Sequence, residues 1–219
     1  MKNLIIKIYL ILSISLISSC VSIPKINISE ESAKEIKDKK FTISTQENEL
    51  LDFISSSFTT NFIGILVPYG LVWIPKINGK NKAKKYDLKD PRASFEEKIS
   101  DILTKKYDMK FEKTQFRTKD RSKKELSKIY KDYEYVADIK TVGAITYFGY
   151  KGHGFNFAIN FRLIDTNKEK EVSNITCQYL TPEHQFRSLD YYYDEDAQNL
   201  KDELQKSISE CLIVLNNEI

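Results

Sequence analysis

At 219 residues the chain is long enough for one domain with a sizeable core. It carries 34 Lys and Arg against 31 Asp and Glu, a formal net charge of +3, with both signs spread along its length. That balance lacks the basic field of a nucleic-acid binder, so nucleic acid is not an expected partner.

The first twenty residues fall into three parts. Lys2 and Lys7 make a positive start, and an apolar run extends from Leu4 to Ile17, broken mainly by Lys7 and small hydroxyl residues. The run has the length of a signal-peptide core and falls short of the ~20 residues that a spanning helix needs. Ser18 and Ser19 follow, then Cys20. The segment Ile17-Ser18-Ser19-Cys20 resembles the lipobox of bacterial lipoproteins. The resemblance implies that residues 1–19 are a removed signal peptide, and that Cys20 carries lipid on its thiol and an acyl chain such as palmitate on its new amino group. Small residues before the cut let the backbone enter the peptidase, and the thiol is the atom alkylated. Two or more acyl chains hold a protein stably in a bilayer, because each buried CH₂ adds ~0.8 kcal/mol and one chain alone is marginal. Val21, in place of the Asp that retains enterobacterial lipoproteins at the inner membrane, implies the outer membrane, facing the periplasm or the cell surface.

Without residues 1–19 the charge falls to about +1, since Lys2 and Lys7 leave with the peptide. Residues 20–46 are expected to be the lipidated N-terminus and a polar tether, helical in part between Ser29 and Lys40; residues 47–219 are expected to form a single α+β domain. An amphipathic segment (Leu50, Leu51, Phe53, Ile54) opens that domain. Residues 62–74 are the most apolar stretch of the mature chain, too short to span a bilayer and broken by Pro68 and Gly70. They are predicted to form a buried strand and turn, with an extended piece on to Pro75; the competing reading is a segment that dips into a membrane or grips lipid or glycolipid. Asn78 to Lys89 is predicted to be a lysine-rich loop.

A helix is predicted from Asp90-Pro91, with Phe95, Ile99, Ile102 and Leu103 facing inward. Met109 to Phe116 is predicted to be a short strand, followed by a basic connection through Lys131. Tyr135, Ala137 and Ile139 alternate with Val136, Asp138 and Lys140, and the strand extends toward Tyr147. A glycine-rich turn, Gly149 to Gly154, leads to Phe155, Phe157, Ile159, Phe161 and Leu163 on one face of the next strand. Asp165 to Lys168 turns the chain into a third strand, Val172 to Leu180, giving an antiparallel meander. After an irregular stretch, a closing helix is predicted from about Asp194 to Leu215. The expected fold is α+β: an antiparallel or mixed sheet of about four to five strands with helices packed on one face.

Two cysteines remain beside Cys20. Cys177 shares a strand face with Ile175 and Tyr179, and Cys211 lies on the helical stripe Ala197, Leu200, Leu204, Ile208, Cys211, Leu215. Both thiols point to one core in an exported chain, which predicts a Cys177–Cys211 disulfide.

The run YEYVADIKTVGAI leading into FAINFRLIDTNKEKEV resembles the paired strands of envelope lipoproteins with a TolB N-terminal-like or anticodon-binding-like domain. The family's TG turn is replaced here by Asn167-Lys168, and a basic connection intrudes at 117–131. The resemblance implies a protein that assembles with envelope partners and is not an enzyme.

Catalytic signals are missing from the sequence. There are two histidines and seven glycines, and no HExxH, GxSxG, CxxC or phosphate-cradling loop. His153 is expected to be a solvated turn residue, and Glu183-His184 lacks a spaced third ligand for a metal. No catalytic residue, metal site or cofactor is predicted. The basic run Arg117, Lys119, Arg121, Lys123, Lys124 suits anionic lipid, and the Tyr191–Asp196 cluster suits a binding surface; plain solvation and packing are the ordinary readings of each. The expected role is a non-enzymatic accessory or structural lipoprotein bound to the bilayer through Cys20 and to an envelope protein partner. The alternative is a lipid or glycolipid carrier that uses residues 62–74.

Overall fold

Residues 25–46, 50–55, 73–118 and 120–219 are described in a computed structural model of the chain. In chain order the elements are α1 (Glu30–Ile36), β1 (Lys40–Ile43), β2 (Thr45–Gln46), β3 (Phe53–Ser55), α2 (Trp73–Lys85), α3 (Arg92–Tyr107) and β4 (Lys110–Phe111). They continue with β5 (Arg117–Thr118), α4 (Lys123–Ile129), β6 (Tyr135–Tyr147), β7 (His153–Asp165), β8 (Lys170–Leu180), α5 (Leu189–Tyr193) and α6 (Gln198–Glu218).

The fold is α+β. Its sheet runs β4-β1-β6-β7-β8, with β3 paired to β6 farther along the same side as β1. The meander β6-β7-β8 is antiparallel, while β1 and β3 pair with β6 in parallel. The 13 residues of β6 pair with the 13 of β7 in one register, from Tyr135↔Asp165 to Tyr147↔His153. Alternation decides what each face buries. Tyr135, Ala137 and Ile139, with Phe155, Phe157, Ile159, Phe161 and Leu163, join the main core, and α3 and α6 supply Phe95, Ile99, Leu200, Leu204 and Leu215 to it. Val136 and Ile164 point the other way and are covered by Leu126 and Tyr130, in and just after the short helix α4.

Several sequence expectations need correction. The folded unit includes residues assigned to the tether: β1 is an internal strand, and Ile26 bridges to Asn174 on β8. Phe41 and Ile43 are buried there, so the hydrophobic term draws this segment onto the sheet. The lysine-rich stretch expected to be loop, and the Trp73–Pro75 piece expected to be extended, are instead helix α2. Pro75 occupies the third helical position, where a missing N–H costs no intrahelical bond. Ala83, Tyr86 and Leu88 are buried, which ties the end of this helix to the core. The strand expected over Met109–Phe116 shrinks to Lys110–Phe111. The closing helix begins later than expected: Glu195, Asp196 and Ala197 have φ of 49°, 59° and 60°, left-handed conformations that cannot sit in its first turn. Residues 62–72, the bulk of the apolar segment, lie outside the described residues.

Side chains pack closely over Gly143 on β6: a Cβ there would stand 2.8 Å from Leu51 Cδ2 and 3.3 Å from Phe53 Cδ2, so a larger residue would have to push the Leu51 side chain aside. The Phe157 ring, fully buried and 6.1 Å from the Phe95 ring between centroids, marks the centre of the core. Phe157→Ala is expected to lower the unfolding free energy by ~3–5 kcal/mol, read as a lower urea midpoint at unchanged slope.

Candidate functional site

Three places gather chemistry-bearing side chains. The first is the cysteine pair. Cys177 on β8 and Cys211 on α6 are joined in a disulfide, with Cα atoms 5.5 Å apart and a sequence separation of 34. Both are buried, and the bond links the sheet edge to the closing helix inside the core. Cys20, the expected lipidation site, lies outside the described residues.

The second is a buried ion network. Asp138, in the first third of β6, has no exposed surface although the sequence pattern put it on a polar face. Its Oδ1 accepts hydrogen bonds from Ser44 Oγ at 2.8 Å and Arg121 Nε at 3.0 Å. Its Oδ2 accepts from Arg121 Nη2 and Arg162 Nη2, each at 2.5 Å. Arg162 also donates to the Arg121 carbonyl at 2.7 Å and to Glu171 at 3.3 Å. Burial alone would raise the Asp138 carboxyl; the two guanidinium charges and their hydrogen bonds outweigh it and hold the group below the usual carboxylate range. Arg121 was expected in a solvent-facing basic run, but its fork is committed to Asp138. Arg117 remains exposed, as do Lys123 and Lys124 at the start of α4. The network was missed in the sequence, yet a signal existed: Asp138 lies directly across from Arg162 in the β6–β7 register, a cross-strand opposite-charge pair.

The third is the β6–β7 turn and its neighbours. Gly149–Lys151 form a 3₁₀ turn whose Tyr150 is 96% exposed. The Phe148 ring stacks on Phe186, 4.6 Å between centroids, and Lys151 Nζ meets Glu183 at 2.8 Å. His153 is not a solvated turn residue: it opens β7, packs 5.0 Å from the Tyr147 ring, and exchanges backbone hydrogen bonds with Arg187. Partial burial lowers its imidazole pKa. The Tyr192 hydroxyl donates to the His153 carbonyl at 3.1 Å, and burial pushes its pKa up to about 12. Tyr192 is therefore a packing residue, while its neighbour Tyr191 stays 38% exposed. Exposed His184 has Gln185 beside it and no acidic partner within hydrogen-bond range among the described residues. Nearby, Tyr179 and Thr181 hydroxyls both donate to Glu203 at 2.9 Å, fastening α6 to the end of β8.

Among the described residues no group of three or more His, Cys, Asp or Glu is placed to hold a metal ion, and no helix is long and apolar enough to cross a membrane. No family model matches the chain, and no curated protein matches it. Solved structures do. A hypothetical protein of Chlamydia trachomatis shares 13% identity over 83% of this chain and 97% of its own, with a TM-score of 0.34. A homolog of neuraminyllactose-binding hemagglutinin from Helicobacter pylori shares 9% over 84% and 87%, with a TM-score of 0.37. A lipoprotein of Neisseria meningitidis shares 11% over 78% and 96%, with a TM-score of 0.21. At scores this low the likeness carries no weight for function.

Two outcomes follow from the geometry. Replacing Cys177 and Cys211 with serine is expected to cost ~3–4 kcal/mol, the chain-entropy value for a loop of this length, read by chemical denaturation with and without reductant. Asp138 has a folded-state pKa below its unfolded value of ~3.9, so its contribution is whole above that pH and is lost as pH falls below it. Denaturation midpoints measured from neutral to strongly acidic pH are expected to fall more steeply for the wild type than for Asp138→Asn, whose midpoint is lower at neutral pH.

Proposed function

We propose that this protein is a bacterial lipoprotein, anchored through acyl chains on Cys20, that presents its α+β domain to a protein partner in the cell envelope and has no catalytic activity of its own. The observation that carries the reading is the Cys177–Cys211 disulfide in a chain whose N-terminus has a signal-peptide pattern ending in Ile17-Ser18-Ser19-Cys20. Buried disulfides of this kind form and persist in exported proteins and are rare in the cytosol. The lipobox pattern supplies a mode of attachment by lipid, and Val21 favours the outer membrane.

The non-catalytic part of the proposal is supported by what the buried and half-buried polar groups do. Asp138 is held by two arginines and a serine, and Glu203 accepts from two hydroxyls. These groups knit elements together and leave no carboxylate of the pair poised for proton transfer.

The test compares the native protein with Cys20→Ala in cells fed an alkyne-tagged palmitate and then crosslinked. The native protein is expected to carry the tag, fractionate with membranes and bring down a discrete envelope protein; Cys20→Ala is expected to lose the tag and the membrane association. Equal labelling of both proteins, or none of either, would contradict the anchor. Recovery of lipid or glycan with no protein would contradict the accessory role.

A further inference from the structure

The start of the described chain has a direction. Ile26 and Asn174 exchange backbone hydrogen bonds of 2.9 and 2.8 Å in an antiparallel bridge on the outer edge of β8. Lys25 is held next to it by an ion pair with Glu218, near the end of α6. Followed toward the N-terminus, the backbone at this bridge therefore heads along β8 from Asn174 toward Leu180. Cys20 lies six residues before Ile26, so it stands no more than ~20 Å from that point, at ~3.4 Å per extended residue. Six residues along β8 from Asn174 is Leu180, an equal span.

Leu180 belongs to the end of the sheet that carries the β6–β7 turn, since it pairs with Asn156 three residues from His153. Exposed apolar and aromatic surface gathers there: Tyr150 at 96%, Leu180 at 43%, Tyr191 at 38% and Tyr147 at 36%. The turn holds its shape through Gly149 and Gly152, with φ of 67° and 99°, and through the Phe148–Phe186 stack, so Tyr150 projects from a built platform. The opposite turn, Thr166 to Glu169, has no aromatic side chain. Of the other exposed large apolar side chains, Phe111 lies on β4 at the other edge of the sheet from β8, Phe116 precedes β5 in the separate two-stranded sheet, and Ile213 and Val214 are on α6. Tyrosine has an apolar ring and a polar tip, and is enriched where a membrane meets water.

We infer that the sheet end formed by Tyr147, Tyr150, Leu180 and Tyr191 rests on the phospholipid headgroups of the membrane in which Cys20 is anchored. The inference rests on the lipoprotein reading, and adds to it the orientation of the domain. The anchor limits how far the domain strays from the bilayer, and the aromatic end fixes which way it faces. The Asp165–Lys170 turn is then the outermost part of the sheet, open to a partner.

The experiment uses the mature acylated protein in vesicles of phosphatidylethanolamine and phosphatidylglycerol that contain headgroup spin-labelled lipid. Tyr150→Cys and Asn167→Cys are each labelled with an environment-sensitive fluorophore; both positions are exposed, so neither substitution disturbs the core. Quenching is expected to be several-fold stronger at position 150 than at 167. If the protein floats with the vesicles but the two positions quench alike, or 167 quenches more, the orientation is wrong and the anchor stands; a protein-binding tip would give that result. If the native protein does not float with the vesicles, both the anchor and the orientation fall.

Discussion

Thirteen consecutive pairs join β6 to β7 with no bulge, and the ribbon they make is covered on both faces. Nearly every other part of the described structure is placed by it. β1 and β3 dock in parallel against β6, β8 extends the sheet from β7, and α3 and α6 lie on the aromatic face. The second face is closed by α4 and by one buried carboxylate. An isolated ionised carboxylate in such a place is costly to desolvate, and removing one partner of a buried pair typically costs ~3–5 kcal/mol. Two arginines and a serine meet the need at Asp138 on β6, and they reach it from three other stretches of chain: the link between β1 and β2, the link before α4, and β7. The basic connection at 117–131 is thus part of the fold, positioned by a charge that lies within a strand.

The disulfide divides labour with that network. It fixes α6 to β8 on the aromatic face, while Tyr179 and Thr181 fasten the same helix through Glu203 about two turns earlier. The edge strand β8 is thereby held by a covalent bond on one side of the sheet and shielded along part of its open edge by Ile26. An uncovered edge invites pairing with other chains, and covering part of it with the segment around Ile26 blunts that risk.

How far the sequence foretold this depends on the kind of signal. The meander, the closing helix and the cysteine pair were legible because alternation of two and spacing of three and four repeat over long stretches, from Phe155 to Leu163 and from Leu200 to Leu215. Helix α2 was not legible, because Pro75, Gly79 and a row of lysines interrupt any apolar periodicity in the sequence. Helix α4 had a signal that was passed over: Ser122 and Glu125 have the spacing of a capping box, and Ser122 Oγ accepts from the Glu125 N–H at 3.2 Å. Asp138 looked solvated because a charged residue at a polar-face position usually is; only the pairing with Arg162 across the hairpin, plus a guanidinium from a distant loop, makes its burial tolerable. The exposed tip was visible as a glycine-rich turn, but nothing local told that Phe148 and Phe186 would brace it while Tyr150 projected.

The central claim is that the chain is processed and lipidated at Cys20, since the role and the orientation both depend on it. The most direct measurement is the intact mass of the protein extracted from membranes, with fragmentation of its N-terminal peptide. The account predicts a chain that begins at Cys20, lacks residues 1–19 and carries the added mass of a diacylglyceryl group and an amide-linked acyl chain. A mature chain that begins elsewhere, or a Cys20 with no added mass, would contradict it.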